Sequence, residues 1–343
     1  MPAATTSTVS LAAWGPRGYG SFGGPGGDST SSTTSSTVDS DPATDAESVG
    51  VVLINTELAY QGATGAGTGI VLTSDGEVLT NYHVVEGATT ISVTVASTGK
   101  TYDATVVGHG QTTDVALLKL SGATGLQAAE VDDDTVDIGD AVTAVGNAGG
   151  TGTLTAADGT VTDLSSTITT ASEGLIASET LDGLIETDAD VVPGDSGGPL
   201  VDAEGEVVGI DTAASSGGEI DGYAIPIDQA IAVVKQILAG DRSDAVQIGS
   251  TPFLGVQLTH LGYGSAVSGA TVAGVADGSA AADIGLVAGD TVTAIGTTAV
   301  SDASQLSEAI AQHSSGDQVR ISWTDSAGSE HTETATLGAS PEA

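Results

Sequence analysis

Short apolar runs separated by polar, glycine-rich breaks set the rhythm of this chain from about residue 47 onward. Ile91, Val93 and Val95 alternate with Ser92 and Thr94, the period of a half-buried strand. Comparable runs predict strands at 50–55, 67–73, 77–81, 102–108 and 114–119. A second set follows at 141–146, 152–163, 184–188, 198–202, 206–212 and 221–225. Closely spaced strands with turn signals point to barrels or sandwiches, and two sets of about six point to two barrels side by side. Ile227, Ala230, Ile231, Val234, Ile237 and Leu238 then recur at helical spacing, with Gly240 as the stop.

The pattern divides the chain into four expected stretches. Residues 1–46 are rich in Gly, Ser and Thr and bury too little apolar surface to order themselves; they read as a disordered tether. Residues 47–240 hold the two strand sets and the helix. The polar stretch 241–250 reads as a linker. Residues 251–338 form a smaller α+β unit that opens on PFLGVQL. Its strands are expected at 269–275, 291–296, 317–323 and 330–336, and its helices at 279–284 and 302–313.

Composition narrows the chemistry. Only 3% of residues are aromatic against 39% hydrophobic, so the cores must be built from Val, Ile, Leu and Ala. Forty-five acids face 6 bases, a formal net charge of −39. That balance excludes nucleic-acid binding, which needs a basic footprint, and disfavours anionic membranes. It fits adaptation to a salty or acidic medium, or attraction of cationic substrates. There are no cysteines, so disulfides and thiol catalysis are excluded. No stretch approaches the ~20 apolar residues of a membrane span. The opening MPAATTSTVSLAAWG has no basic n-region and no long apolar h-region. The expectation is either an intracellular protein or a start downstream of a removed targeting or anchor segment.

Three segments carry the chemistry. LTNYHVVEGA (79–88) places His83 just after a strand, TTDVALLKL (112–120) opens a strand on Asp114, and PGDSGGPLV (193–201) sets Ser196 in a glycine-rich turn. A serine hydroxyl is a weak nucleophile and needs an adjacent base. Histidine titrates near neutrality, so it can take and return a proton. The aspartate fixes the imidazole tautomer and stabilises the imidazolium. The backbone N–H groups of Gly194 and Ser196 are the expected oxyanion donors. Each residue alone is weak evidence; the order His, Asp, Ser is specific. His83 and Asp114 fall in the first strand set and Ser196 in the second, so the site belongs between two barrels. His109 sits in what reads as a polar loop, GHGQTTD, and His260, His313 and His331 lie outside the barrels. No pair among them has metal-ligand spacing, and neither a metal nor a cofactor is expected.

On these segments the chain resembles the HtrA/DegP family of chymotrypsin-fold serine proteases. GTGIVLTSDGEVLTNYHVV, VVGHGQTTDVALLKL, VDIGDAVTAVGNAGG, ETDADVVPGDSGGPLVDAEGEVVGIDTA and GYAIPIDQA all look like family segments. The resemblance covers about 47–240, and 251–338 looks like the PDZ domain that follows. It implies a mainly β fold, a chymotrypsin-like double β-barrel followed by a small α+β PDZ domain. It implies an ATP-independent endopeptidase of unfolded or damaged proteins, extracytoplasmic, secreted or tethered at the cell surface, and a possible homo-oligomer built from trimers. It implies a regulatory loop at 164–182. Phe253, Leu254, Gly255 and Val256 match the PDZ loop that captures a peptide's C-terminal carboxylate. Leu306 and Ile310 either line that groove or are ordinary core residues.

Two positions depart from the family pattern. Asp195 stands where Asn is usual, with no evident cationic partner. Asp190, six residues before Ser196, falls at the expected base of the S1 pocket, where an acid selects Lys or Arg instead of aliphatic P1 side chains; its bland alternative is a solvent-facing loop residue. One functional alternative stays open at this point: a catalytically idle protease-fold scaffold that works through peptide binding at its PDZ domain.

Overall fold

The computed structural model describes residues 7–9, 39–58, 63–132, 136–170, 180–214, 222–243, 245–249, 252–258, 269–313 and 315–339. The first strand set is β1 (Val51–Leu58), β2 (Ala63–Val71), β3 (Glu77–Thr80), β4 (Thr90–Val95), β5 (Lys100–Gly110) and β6 (Val115–Leu120). One helical turn, α1 (Tyr82–Val85), follows β3. All neighbours are antiparallel, and the order β1-β2-β3-β6-β5-β4 closes back on β1. The second set is β7 (Ala141–Gly146), β8 (Thr155–Thr170), β9 (Thr180–Thr187), β10 (Pro199–Val201), β11 (Val207–Ala214) and β12 (Gly222–Pro226). It closes in the order β7-β8-β9-β12-β11-β10. Closure removes the open sheet edges that would otherwise invite aggregation.

Strand alternation accounts for the cores. Ile54, Val71, Val78, Val93 and Leu118 fill the first barrel, and Val142, Val161, Ile185, Leu200 and Val208 the second. A third cluster joins Leu79 and Leu117 of the first barrel to Val145, Leu184 and Ile210 of the second. The helix α2 (Ile227–Ala239) caps that seam with Ile227, Ala230, Val233, Val234 and Ile237. It ends as expected at Gly240, whose φ of 72° is the left-handed stop that glycine adopts without strain.

Three expectations change. First, the loop expected at 164–182 is narrower at both ends, with β8 running to Thr170 and β9 starting at Thr180. The reason is the alternation of Ile168, fully buried, with β-branched threonines that favour a pleated surface; residues 171–179 lie outside the described set. Second, the stretch 241–250 is stitched to the first barrel. Val246 enters the core, and Gln247–Ile248 pairs with His109 and Gly108 of β5. Third, His109 is not in a polar loop. It lies within β5, is 3% exposed, and stacks on Tyr82 with ring centroids 4.1 Å apart. Within the expected tether, Ser7–Val9 pairs parallel with Ile168–Thr170, and Asp41–Pro42 pairs with Thr155–Ala156.

The C-terminal unit contains β13 (Val256–Leu258), β14 (Ala270–Val275), α3 (Ala280–Asp283), β15 (Thr291–Ile295), α4 (Ala303–Ala311), β16 (Gln318–Thr324) and β17 (Glu330–Thr336). Its strands pair in the order β13-β14-β15-β16-β17 around a core of Leu254, Val292, Leu306, Ile321 and Trp323. Asp302 caps α4 by accepting from the Gln305 N–H. No helix among the described residues is long and apolar enough to cross a membrane.

Candidate active site

Two elements of the first barrel bring His83 to Asp114. Asn81 and Tyr82 anchor α1, with Asn81 Nδ2 and Tyr82 N both donating to the Asp114 carbonyl, at 3.0 and 3.2 Å. Asp114 closes the 3-10 turn Gln111–Thr113 with φ 50°, a left-handed conformation that Asp tolerates better than most residues. The buried carboxylate accepts three hydrogen bonds. Oδ1 takes the His83 backbone N–H at 2.9 Å, and Oδ2 takes His83 Nδ1 at 2.8 Å and Thr212 Oγ1 at 2.7 Å. An ionised carboxylate only accepts, so Nδ1 carries the imidazole proton and the basic lone pair lies on Nε2.

The second barrel supplies the nucleophile. Ser196 is half-buried, and its Oγ donates to the Thr212 carbonyl at 3.3 Å. Thr212 therefore joins both halves of the site, with its hydroxyl on Asp114 and its carbonyl on Ser196. Thr68, on β2, is a second bridge. Its N–H donates to Ser196 O at 2.9 Å, its hydroxyl donates to Gly194 O at 2.8 Å, and that hydroxyl accepts from Asn147 N–H at 2.9 Å. Neither threonine was singled out in the sequence. Thr212 had a legible signal in the polar GIDTA end of an otherwise apolar strand.

The serine turn is held in a defined shape. Pro193 O accepts from Gly149 N–H at 2.7 Å. Carbonyl and amide point opposite ways across a trans peptide, so the Gly194 N–H faces away from the 148–150 turn. Gly194 and Gly197 have φ of 105° and 87°. The amides of Gly194 and Ser196 flank Asp195. Such an arrangement of hydroxyl, imidazole and carboxylate beside two backbone donors suits attack on a carbonyl and stabilisation of the resulting oxyanion.

The two departures from the family pattern acquire surroundings. Asp190 lies half-buried between buried Ala189 and Val191, and its Oδ2 accepts from the Asp39 backbone N–H at 2.5 Å. The chain entering the first barrel is thereby tied to the segment leading to Ser196. Asp195 turns inward against Gly146, and its Oδ2 accepts from Val192 N–H at 2.9 Å.

In the C-terminal unit the four matched residues divide by role. Leu254 is 1% exposed and belongs to the core, so its side chain is withdrawn from any ligand. Phe253 and Val256 are half-buried. Leu306 is fully buried, which assigns it to the core, while Ile310 is half-buried and packs against that core from its edge, as Val256 and Leu258 also do. Gly255 has φ 86°, and a Cβ there would lie 2.1 Å from Ser279 Cβ. Gly255→Ala is expected to distort this loop and weaken binding of a peptide ending in a free carboxylate by at least about tenfold, measured by fluorescence anisotropy. Unchanged affinity would remove the loop from the binding site.

Residues 67–210 match the trypsin-like peptidase domain family, and residues 252–326 match the PDZ domain family. The chain belongs to the HtrA/DegP-like serine proteases. A putative serine protease HhoB from Synechocystis is 34% identical over 267 residues, covering 75% of this chain and 62% of that protein. A probable periplasmic serine protease do/HhoA-like from Haemophilus influenzae is 35% identical over 266 residues, covering 76% and 55%. The chain thus spans less than two thirds of the length of these HtrA/DegP-like relatives. A solved structure of an HtrA-type protease with a tripeptide is 30% identical, covering 86% of this chain and 97% of that one, with a TM-score of 0.49.

Proposed function

We propose that this chain is a serine endopeptidase that cleaves unfolded or damaged polypeptides through an acyl-enzyme on Ser196, with peptide binding at the PDZ domain regulating it. The observation that carries this reading is the single network from His83 Nδ1 through Asp114 and Thr212 to Ser196. His83 Nε2 takes the serine proton as Oγ attacks the scissile carbonyl, and later returns it to the leaving amine. Asp114 holds the imidazole and the positive charge it acquires. Gly194 and Ser196 N–H groups receive the oxyanion. The relatives named as periplasmic support an extracytoplasmic site of action.

A fluorophosphonate probe should label the full chain and fail to label Ser196→Ala. Casein unfolded beforehand should be degraded by the wild type, and removal of residues 251–343 should change that rate. Absence of labelling, with and without peptides ending in a free carboxylate, would return the chain to the scaffold reading.

A further inference from the structure

Behind the serine turn lie two carboxyl groups with no cation paired to them among the described residues. Asp195 is 5% exposed, and Asp211, on β11, is fully buried. Asp195 Oδ2 takes the Val192 N–H, while its Oδ1 and both oxygens of Asp211 make no hydrogen bond. The backbones are laced together, with Gly197 N–H on Asp211 O at 2.8 Å and Asp211 N–H on Gly198 O at 2.9 Å. An ionised carboxylate in such a place is strongly disfavoured.

Among the described residues the neighbouring elements bring no compensating charge. β7 and the residue after it present Gly146 and Asn147, and β2 presents Thr68. Across Thr212 stand Asp114 and His83, already paired with each other. Asp190, on the approach to the serine turn, is held at Asp39 N. Of the described bases, Lys119 pairs with Asp75, Lys100 lies over Tyr102, and Arg242 reaches the His313 carbonyl; Lys235 is on α2, which packs against β11, but it is exposed, as is Arg320 on β16.

We infer that Asp195 and Asp211 form a protonated latch: the serine turn keeps its active shape while both carboxyls are neutral, and ionisation of Asp195 releases it. The inference rests on Ser196 being the nucleophile. Burial raises the Asp195 carboxyl from its ordinary 3.8 to about 7. Asp211 is also pushed up, by burial first and by the Asp195 charge second; it is the more buried of the two and accepts no hydrogen bond, whereas Asp195 takes the Val192 N–H, so Asp195 ionises first. The folded state therefore favours the protonated Asp195. That contribution is fully present below pH 3.8 and is lost as the pH rises through about 7. An ionised Asp195 escapes by turning toward water, with the backbone rotation taken up at Gly194 and Gly197, whose φ of 105° and 87° already lie where glycine is not restricted by a Cβ. The turn carries with it the flanking Gly194 and Ser196 amides, which are the oxyanion donors.

The test is the second-order rate of fluorophosphonate inactivation across pH, each profile normalised to its own maximum. Wild type should fall above about pH 7, roughly tenfold per pH unit, as for one proton. Asp195→Asn, isosteric and neutral, should remove the fall or move it up by more than about one pH unit. Asp211→Asn should leave it in place, because Asp211 stays neutral while Asp195 ionises. A second readout does not need activity. In the Ser196→Ala protein, one ¹³C-labelled aspartate carboxyl should titrate near pH 7 and vanish in the Ser196→Ala, Asp195→Asn double variant. The same fall in Asp195→Asn, or every aspartate ionised by about pH 6, overturns the latch. Failure of the probe to label any form would instead sink the nucleophile assignment, while the carboxyl titration would still judge the pair.

Discussion

Asp114→Asn is expected to lower kcat by about 10⁴-fold with little change in KM and no loss of fold. The three donors on this carboxylate show why. In one orientation the asparagine oxygen takes His83 Nδ1 and Thr212 Oγ1, and the NH₂ then opposes the His83 backbone N–H, donor against donor. In the other, the oxygen satisfies that backbone N–H and the NH₂ faces His83 Nδ1 and Thr212 Oγ1. The threonine hydroxyl can rotate to accept, and the imidazole can shift its proton to Nε2. The second orientation leaves no unsatisfied backbone group, so it prevails, and it removes the lone pair that must take the serine proton. Kinetics on a peptide substrate, beside circular dichroism of both proteins, measure this. A loss below about tenfold would mean that Asp114 does not set the tautomer.

The triad was legible because nucleophilic chemistry restricts residue types, and His83, Asp114 and Ser196 are the types it requires in a known order. The barrels were legible wherever alternation used Val, Ile and Leu, as in β4 and β7. The far half of β8 was not, because Ser165, Ser166, Thr167 and Thr169 have the composition of a loop, and only the tertiary burial of Ile168 reveals a strand. His109 was misplaced for a related reason. Its glycine neighbours, Gly108 and Gly110, suggested a turn, whereas they are small because Gln247 O and Ile237 press on one and Thr113 Oγ1 on the other. Asp211 illustrates a deeper limit. Residue type argued for exposure, and only the packing of β11 against the serine turn shows a carboxyl buried in full. The Asp39 contact with Asp190 joins positions 151 apart, a separation at which no local pattern speaks.

The other large effect expected is at Gly194. Alanine there would place its Cβ 2.2 Å from Asn147 O and 2.9 Å from Gly150 N, both backbone atoms that cannot step aside. The residue also holds φ at 105°, which an L side chain rarely adopts. The cheapest relief is rotation of the Pro193–Gly194 peptide, which breaks the Gly149 N–H to Pro193 O bond and swings the Gly194 N–H out of the oxyanion position. Losing one such donor costs about 10²- to 10³-fold in kcat. Substrate binding by other contacts survives, so KM should change far less. Gly205→Ala is the control: φ is 86° there, with nothing within 4 Å of the added methyl. It carries the left-handed strain of about 1–2 kcal/mol without touching the site, so it should lower Tm slightly and leave kcat near wild type. If Gly194→Ala and Gly205→Ala turn over alike, the 148–150 turn does not orient an oxyanion donor, and the donor pair must be sought elsewhere along the serine segment.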